Sequence, residues 1–341
     1  MTGYSAGRLR IVFVLATFAL LGIVTPFLDL FLQSLVTEIL VFGILAMSLD
    51  ILLGYTGLAS LGHAAYFGVA SYASAIVMTK SDWTWTYAMF TGADAYGLGI
   101  VYLFVFGLIV AIAFSAFFGF LAIRATGVYF LMITLSLAMV VWGLAYRWSA
   151  VTEGDNGIII PARPTLFGLS LDEPISFFFF TLAVFLSCLG ILYLIVQSPF
   201  GRTLVGIRER ETRMEMLGYN IWFHKYLAFI IAGLFSGVAG IMWTLFNLFV
   251  SPPDIELITS AEALFMVALG GPATLIGPVI GAGIIRSLQQ FISVYIERWP
   301  LILGAIYIST IMIGRLYGVD GIIGLIGKIR SAATTAEKAG D

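Results

Sequence analysis

The chain has 341 residues, of which 60% are hydrophobic and 11% charged, with a mean hydropathy of +1.04. That balance excludes a soluble domain, and a net charge of −2 gives no sign of a nucleic-acid partner. The single cysteine, Cys188, lies in an apolar run, which excludes an intrachain disulfide and reads as a buried, inert thiol.

A membrane-spanning helix needs about 20 apolar residues. Runs of that kind fall at 10–32, 35–54, 60–79, 97–123, 127–147, 174–197, 225–250, 258–271, 278–296 and 299–317. They predict an all-α, polytopic membrane protein of about ten spans with glycine-broken helices. The first run continues to about Leu32 without a small-residue cleavage site, so it reads as a retained span rather than a signal peptide. Residues 1–330 form one transmembrane domain, and the polar stretch 331–341 reads as a disordered tail. Lysine and arginine orient the chain. With both termini cytoplasmic, Arg8, Arg10, Arg124 and the arginines of 198–224 fall inside, whereas only Lys80, Arg147, Arg163 and Arg298 fall outside. Trp83, Trp85, Trp148 and Trp299 then sit where an interfacial aromatic belt is expected.

In chain order, the first unusual position is Glu38, read as interfacial at the outer end of the second span. Asp50 lies near the other end of that span, just before Gly54, where it is expected to cap or hydrogen-bond the broken backbone that follows. That break runs from Gly54 through Gly57 and Gly62 to His63. Non-helical backbone at membrane depth survives only where protein buries it or a water-filled cavity meets it, so the segment is a candidate pathway or gating element. His63 is expected to be a hydrogen-bonded packing residue.

Residues 201–220, within the cytoplasmic segment 198–224, are the one strongly charged island. Arg202, Arg208, Arg210 and Arg213 stand against Glu209, Glu211 and Glu215, and Leu204, Ile207, Met214 and Leu217 recur at helical spacing before Gly218. The pattern predicts one amphipathic helix over 202–218 that docks a soluble cytoplasmic partner.

A second break holds Gly270, Gly271, Pro272 and Gly277. Glu262 and Arg286 each lie twelve positions from Thr274 in its middle. A hairpin about that turn brings both to one depth, so an intramembrane salt bridge is expected to lock it. With 2 histidines in the chain, no metal site is expected. The chain lacks a P-loop sequence, GxSxG, HExxH and CxxC, so it is not read as an enzyme and is expected to bind no cofactor itself.

LAMSLDILLGYTGLASLGHAAYFGVASYASAI at 45–76, VTEGDNGI at 151–158, GRTLVGIRERETRMEMLGYN at 201–220, KYLAFIIAGLFSGVAGIMW at 225–243 and SAEALFMVALGGPATLIGPVIGAGI at 260–284 together resemble the branched-chain amino acid ABC transporter permeases, specifically the LivM-like subunit. The match covers most of 40–318. The resemblance implies a multi-pass subunit of the bacterial cytoplasmic membrane, embedded in the lipid bilayer. It implies a second homologous permease, two cytoplasmic ATP-binding subunits that hold ATP and Mg, and a periplasmic binding protein. It also implies that 202–218 is the coupling helix, with Arg208, Glu209 and Glu211 at its centre, its apolar face anchored in the ATPase and its charges setting register. Asp50, where the family more usually has Asn, and Pro272 depart from its pattern. Relatives carry urea, short amides and aromatic acids as well as leucine-type amino acids, so the cargo stays open between them. An ion-coupled secondary transporter is the reading from a different class; it predicts paired intramembrane acids.

Overall fold

A computed structural model describes residues 17–18, 20–167, 170–293, 301–302, 304–309, 312, 321 and 324. The start of the first expected span, about half of the last, Arg298, Trp299 and the 331–341 tail lie outside the described residues.

The architecture is helical: α1 (Leu30–Asp50), α2 (His63–Thr79), α3 (Thr84–Ala95), α4 (Gly99–Ala122), α5 (Val128–Arg147), α6 (Pro174–Gln197), α7 (Pro199–Glu209), α8 (Glu211–Met216), α9 (Ile221–Asn247), α10 (Leu257–Gly270) and α11 (Ile276–Ile292). Among the described residues, five helices are long and apolar enough to cross a membrane: α1 with the π-helical turn Ile51–Thr56 that extends it, α4, α5, α6 and α9. At 14 residues α10 reaches only about 21 Å, short of the ~30 Å hydrocarbon core. The α3 helix stands where the sequence reads as an outer loop.

Burial sorts these helices into two shells. In α1 the most apolar stretch is 89% buried, against 28% in each of α4, α5 and α6. The inner group is α1, α2 and α9, with the α10–α11 hairpin packed on α1. A helix apolar all round with one buried stripe is what a bilayer selects at the periphery. Small residues set the closest approaches. A Cβ at Gly240 of α9 would collide with the Phe67 carbonyl of α2, and one at Gly233 would collide with Ser115 of α4.

At the end away from the charged island, two short strands pair antiparallel, Ile158 with Val250 and Ile159 with Phe249. Arg163 staples this cap to the end of α9. Its guanidinium donates to the carbonyls of Leu245 (2.7 Å), Phe246 (3.0 Å) and Asp172 (3.2 Å), and its Cζ lies 4.5 Å from the Phe177 ring centroid. Burial pushes the Arg163 pKa down, and Asp172 opposes that shift. A cation on the last carbonyls of a helix also answers the helix dipole. Lys80 and Glu153 pair at 2.7 Å nearby.

Candidate functional site

The two glycine-rich breaks meet. After α1, the turn Ile51–Thr56 widens to π geometry and Gly57 closes it at φ 78°, a conformation glycine adopts without a Cβ penalty. The second break is Gly271–Leu275, between α10 and α11. It holds three residues at positive φ: Gly271 (112°), Ala273 (61°) and Leu275 (56°). Gly54 lies against this turn so closely that a Cβ there would collide with Asp50 and with the Ala273 amide. Gly270 and Gly277 are equally tight: a Cβ on Gly270 would strike the Gly277 carbonyl, and one on Gly277 would strike Thr274 Oγ1.

Asp50 joins the breaks, but not as its sequence position suggests. Its carboxylate accepts the amides of Ala273 (2.7 Å) and Leu275 (3.1 Å), capping the distant turn rather than its own segment. The reason is geometric: in the distant turn positive-φ residues alternate with ordinary ones, an arrangement that aims N–H groups at one point. Thr274 Oγ1 adds a bond to the Gly271 carbonyl (2.7 Å) and accepts the Gly277 amide (3.0 Å).

From Gly57 to Gly62 the backbone is irregular, and side chains from other helices satisfy it. Thr134 Oγ1 of α5 accepts the Leu61 amide (3.3 Å), and Ser260 Oγ of α10 accepts the Ala64 amide (2.9 Å). Gly62 packs against the Thr134 carbonyl. His63 is fully buried, with its carbonyl accepting Ser236 Oγ (3.0 Å) and its ring edge-on to Tyr66 at 5.8 Å. Its two ring nitrogens have no hydrogen-bond partner among the described residues, so it packs without the hydrogen bond expected of it.

The charged island is two helices, not one. The backbone extends at Arg210 (φ −157°, ψ 105°), which ends α7 and starts α8, and Gly218 (φ 86°) terminates the pair. Ser198 caps α7 through the Gly201 amide. The apolar residues divide accordingly. Leu204 and Ile207 are buried within this chain, and Met214 packs back onto Gly206. Leu217 is instead 67% exposed beside Met216 at 81%. Two of the central charges, though exposed, also bond within the chain. Arg208 Nη1 donates to the Gly54 carbonyl, and Glu211 pairs with buried Lys225 at 2.7 Å. Arg202, Glu209, Arg210, Arg213 and Glu215 are exposed as well. An open cleft of about 570 Å³, lined by Ile123, Glu215, Tyr219, Trp222 and Lys225, runs beside α8.

Toward the other end of α1, Arg286 Nη2 lies 2.9 Å from Glu262 Oε2 across the α10–α11 hairpin. Glu38, read from the sequence as interfacial, is turned into the protein. It is buried, and its Oε1 lies 3.3 Å from Arg286 Nη1 while Gln290 Nε2 donates to its Oε2 (3.0 Å). Gln289 accepts from Arg286 (2.8 Å), whose Cζ stands 3.3 Å over the Phe42 ring. One guanidinium thus ties three helices together. A charged residue alone in an apolar run was the signal for Glu38, because such a group needs a partner. The serines and threonines that satisfy the first break carried no comparable signal.

The family described as the branched-chain amino acid transport system permease component matches residues 31–316. The chain belongs to that permease family. Its relatives include the high-affinity branched-chain amino acid transport system permease protein LivM of Salmonella typhimurium and that of Escherichia coli. Each is 25% identical over 329 residues, covering 90% of this chain and 74% of the relative. No solved structure matches the chain significantly. The permease match includes both glycine breaks, the α7–α8 pair and the Arg286 cluster, so the geometry above is that of a transport subunit.

Proposed function

We propose that this permease is the membrane subunit of an ATP-driven importer for branched-chain or other small amino acids in a bacterial cytoplasmic membrane. Its partners are a second homologous permease, two ATP-binding subunits that carry ATP and Mg, and a periplasmic binding protein. The end bearing α7 and α8 faces the cytoplasm, and ATP-driven motion there exchanges outward for inward access.

The observation that carries this reading is the surface of α8. No residue of this helix is buried, and Met216 and Leu217 follow it as exposed apolar side chains amid Arg210, Arg213 and Glu215. Exposed apolar side chains rimmed by charge mark a protein-docking surface. The docking residues are therefore Arg202, Glu209, Arg210, Arg213, Glu215, Met216 and Leu217. Leu204 and Ile207 anchor the pair from inside, and the exposed Arg208 and Glu211 tie it to Gly54 and Lys225. An ion-coupled carrier would leave paired acids open to an ion. Here Glu38 and Glu262 are both engaged by Arg286.

Leu217→Asp combined with Met216→Asp should strip the ATP-binding subunits from the purified complex while the permease still inserts. The measurement is subunit stoichiometry after purification in mild detergent. A complex recovered intact from the double variant would overturn the assignment of α8.

A further inference from the structure

We propose that Arg208 and Asp50 form a positioning link that carries movement of α7 to the strained turn Gly271–Leu275. The link itself stands on geometry; its part in transport rests on the function proposed above.

The strained turn needs an external hold. Ala273 and Leu275 sit at positive φ, which costs an ordinary residue on the order of 1–3 kcal/mol unless its surroundings enforce it. Asp50 supplies that hold through both amides, from a helix more than 220 positions earlier in the chain. Asp50 and Gly54 are one helical turn apart on α1 and its extension, so they present the same face. The Leu58 amide bonds to Leu52 rather than to Gly54. The Gly54 carbonyl accepts Arg208 Nη1. The Arg208 stem also packs on Gly57, the left-handed residue that ends the π turn. Arg208 itself stands one residue before the end of α7. The contacts therefore run without a gap from α7 to Gly54, through Asp50, to Ala273 and Leu275. Bulk at Gly54 would collide with both neighbours, so the path is closely packed at its midpoint. Coupling between separate elements requires contiguous contacts of this kind together with an element that has two arrangements. In this proposal the turn Gly271–Leu275, braced from within by Thr274 and held from outside by Asp50, is that element.

Hydrogen exchange of the full chain in lipid nanodiscs tests the link directly. Arg208→Ala should raise amide exchange at Ala273 and Leu275, residues it does not touch, by about tenfold. Asp50→Asn, which retains one acceptor oxygen, should raise it at least as far. The double variant should exceed neither single variant by more than about threefold. Arg208→Lys, which keeps a donor for Gly54, should restore exchange toward the parent. Unchanged exchange in Arg208→Ala, or single effects that multiply in the double variant, would overturn the link. In the reconstituted transporter, uptake should fall about tenfold in Arg208→Ala and recover in Arg208→Lys. Normal uptake in Arg208→Ala would overturn the link's part in transport. Uptake by the parent without ATP-binding subunits would instead fail the proposed function, leaving the exchange result to decide the link alone.

Discussion

Replacing Arg286 with methionine should destabilise the folded protein by about 3–5 kcal/mol. The estimate follows from what the substitution leaves behind. Arg286 reaches Glu262 at 2.9 Å and Glu38 at 3.3 Å, and all three side chains are buried. Hydrogen bonds between membrane helices average only about 0.6 kcal/mol, because an unfolded chain in the bilayer also finds partners. Lost bonds alone would therefore be a small effect. Two carboxylates stranded beside each other without their cation are a large one. The same reasoning predicts a rescue. Adding Glu38→Gln and Glu262→Gln to Arg286→Met removes both stranded charges and should recover most of the loss. Denaturant unfolding of the purified protein, followed by near-ultraviolet circular dichroism, measures both effects. An unaltered midpoint in Arg286→Met, or no recovery in the triple variant, would contradict this account of the cluster.

The second large effect belongs to Gly240. Alanine there would place a Cβ into the Phe67 carbonyl, a backbone atom of α2 that no rotamer change can move aside. Overpacking in a close-packed interior typically costs about 1–3 kcal/mol; this site should fall at or above the upper end because α2 and α9 form the densest contact of the bundle. Gly190 of α6 is the internal control. No heavy atom lies within 4 Å of a Cβ built there, so Gly190→Ala should leave stability unchanged or slightly raised. Thermal midpoints of the two purified variants test the contrast. Equal midpoints would show that the approach of α9 to α2 is looser than described.

Much of this architecture was legible in the sequence, because bilayer-length apolar runs are a strong signal. The expected 97–123, 127–147 and 174–197 correspond to α4, α5 and α6 within a few residues at each end. Arithmetic about Thr274 placed Glu262 and Arg286 at one depth, and their side chains meet. What the sequence concealed was partnership at long range. Asp50 looked like a cap for the break beside it, yet its oxygens serve amides more than 220 positions away. Glu38 looked interfacial because it stands near a span end, and only packing shows that it shares Arg286 with Glu262. The single helix expected over 202–218 failed at Arg210 because no proline or glycine marks that break; the extended backbone there is imposed by the separate anchoring of Leu204 and Ile207 on one side and of Glu211 on Lys225 on the other. For the same reason the periodic apolar face divided, with Leu204, Ile207 and Met214 packed into the chain and Leu217 left at the surface.

The most direct test of the central claim is purification of this chain from its native membranes in mild detergent, with mass spectrometry of the proteins that accompany it. Recovery of an ATP-binding subunit together with a second, homologous permease is the predicted result. Recovery of this chain alone, from a preparation in which it remains folded and monodisperse, would contradict the ATP-driven importer.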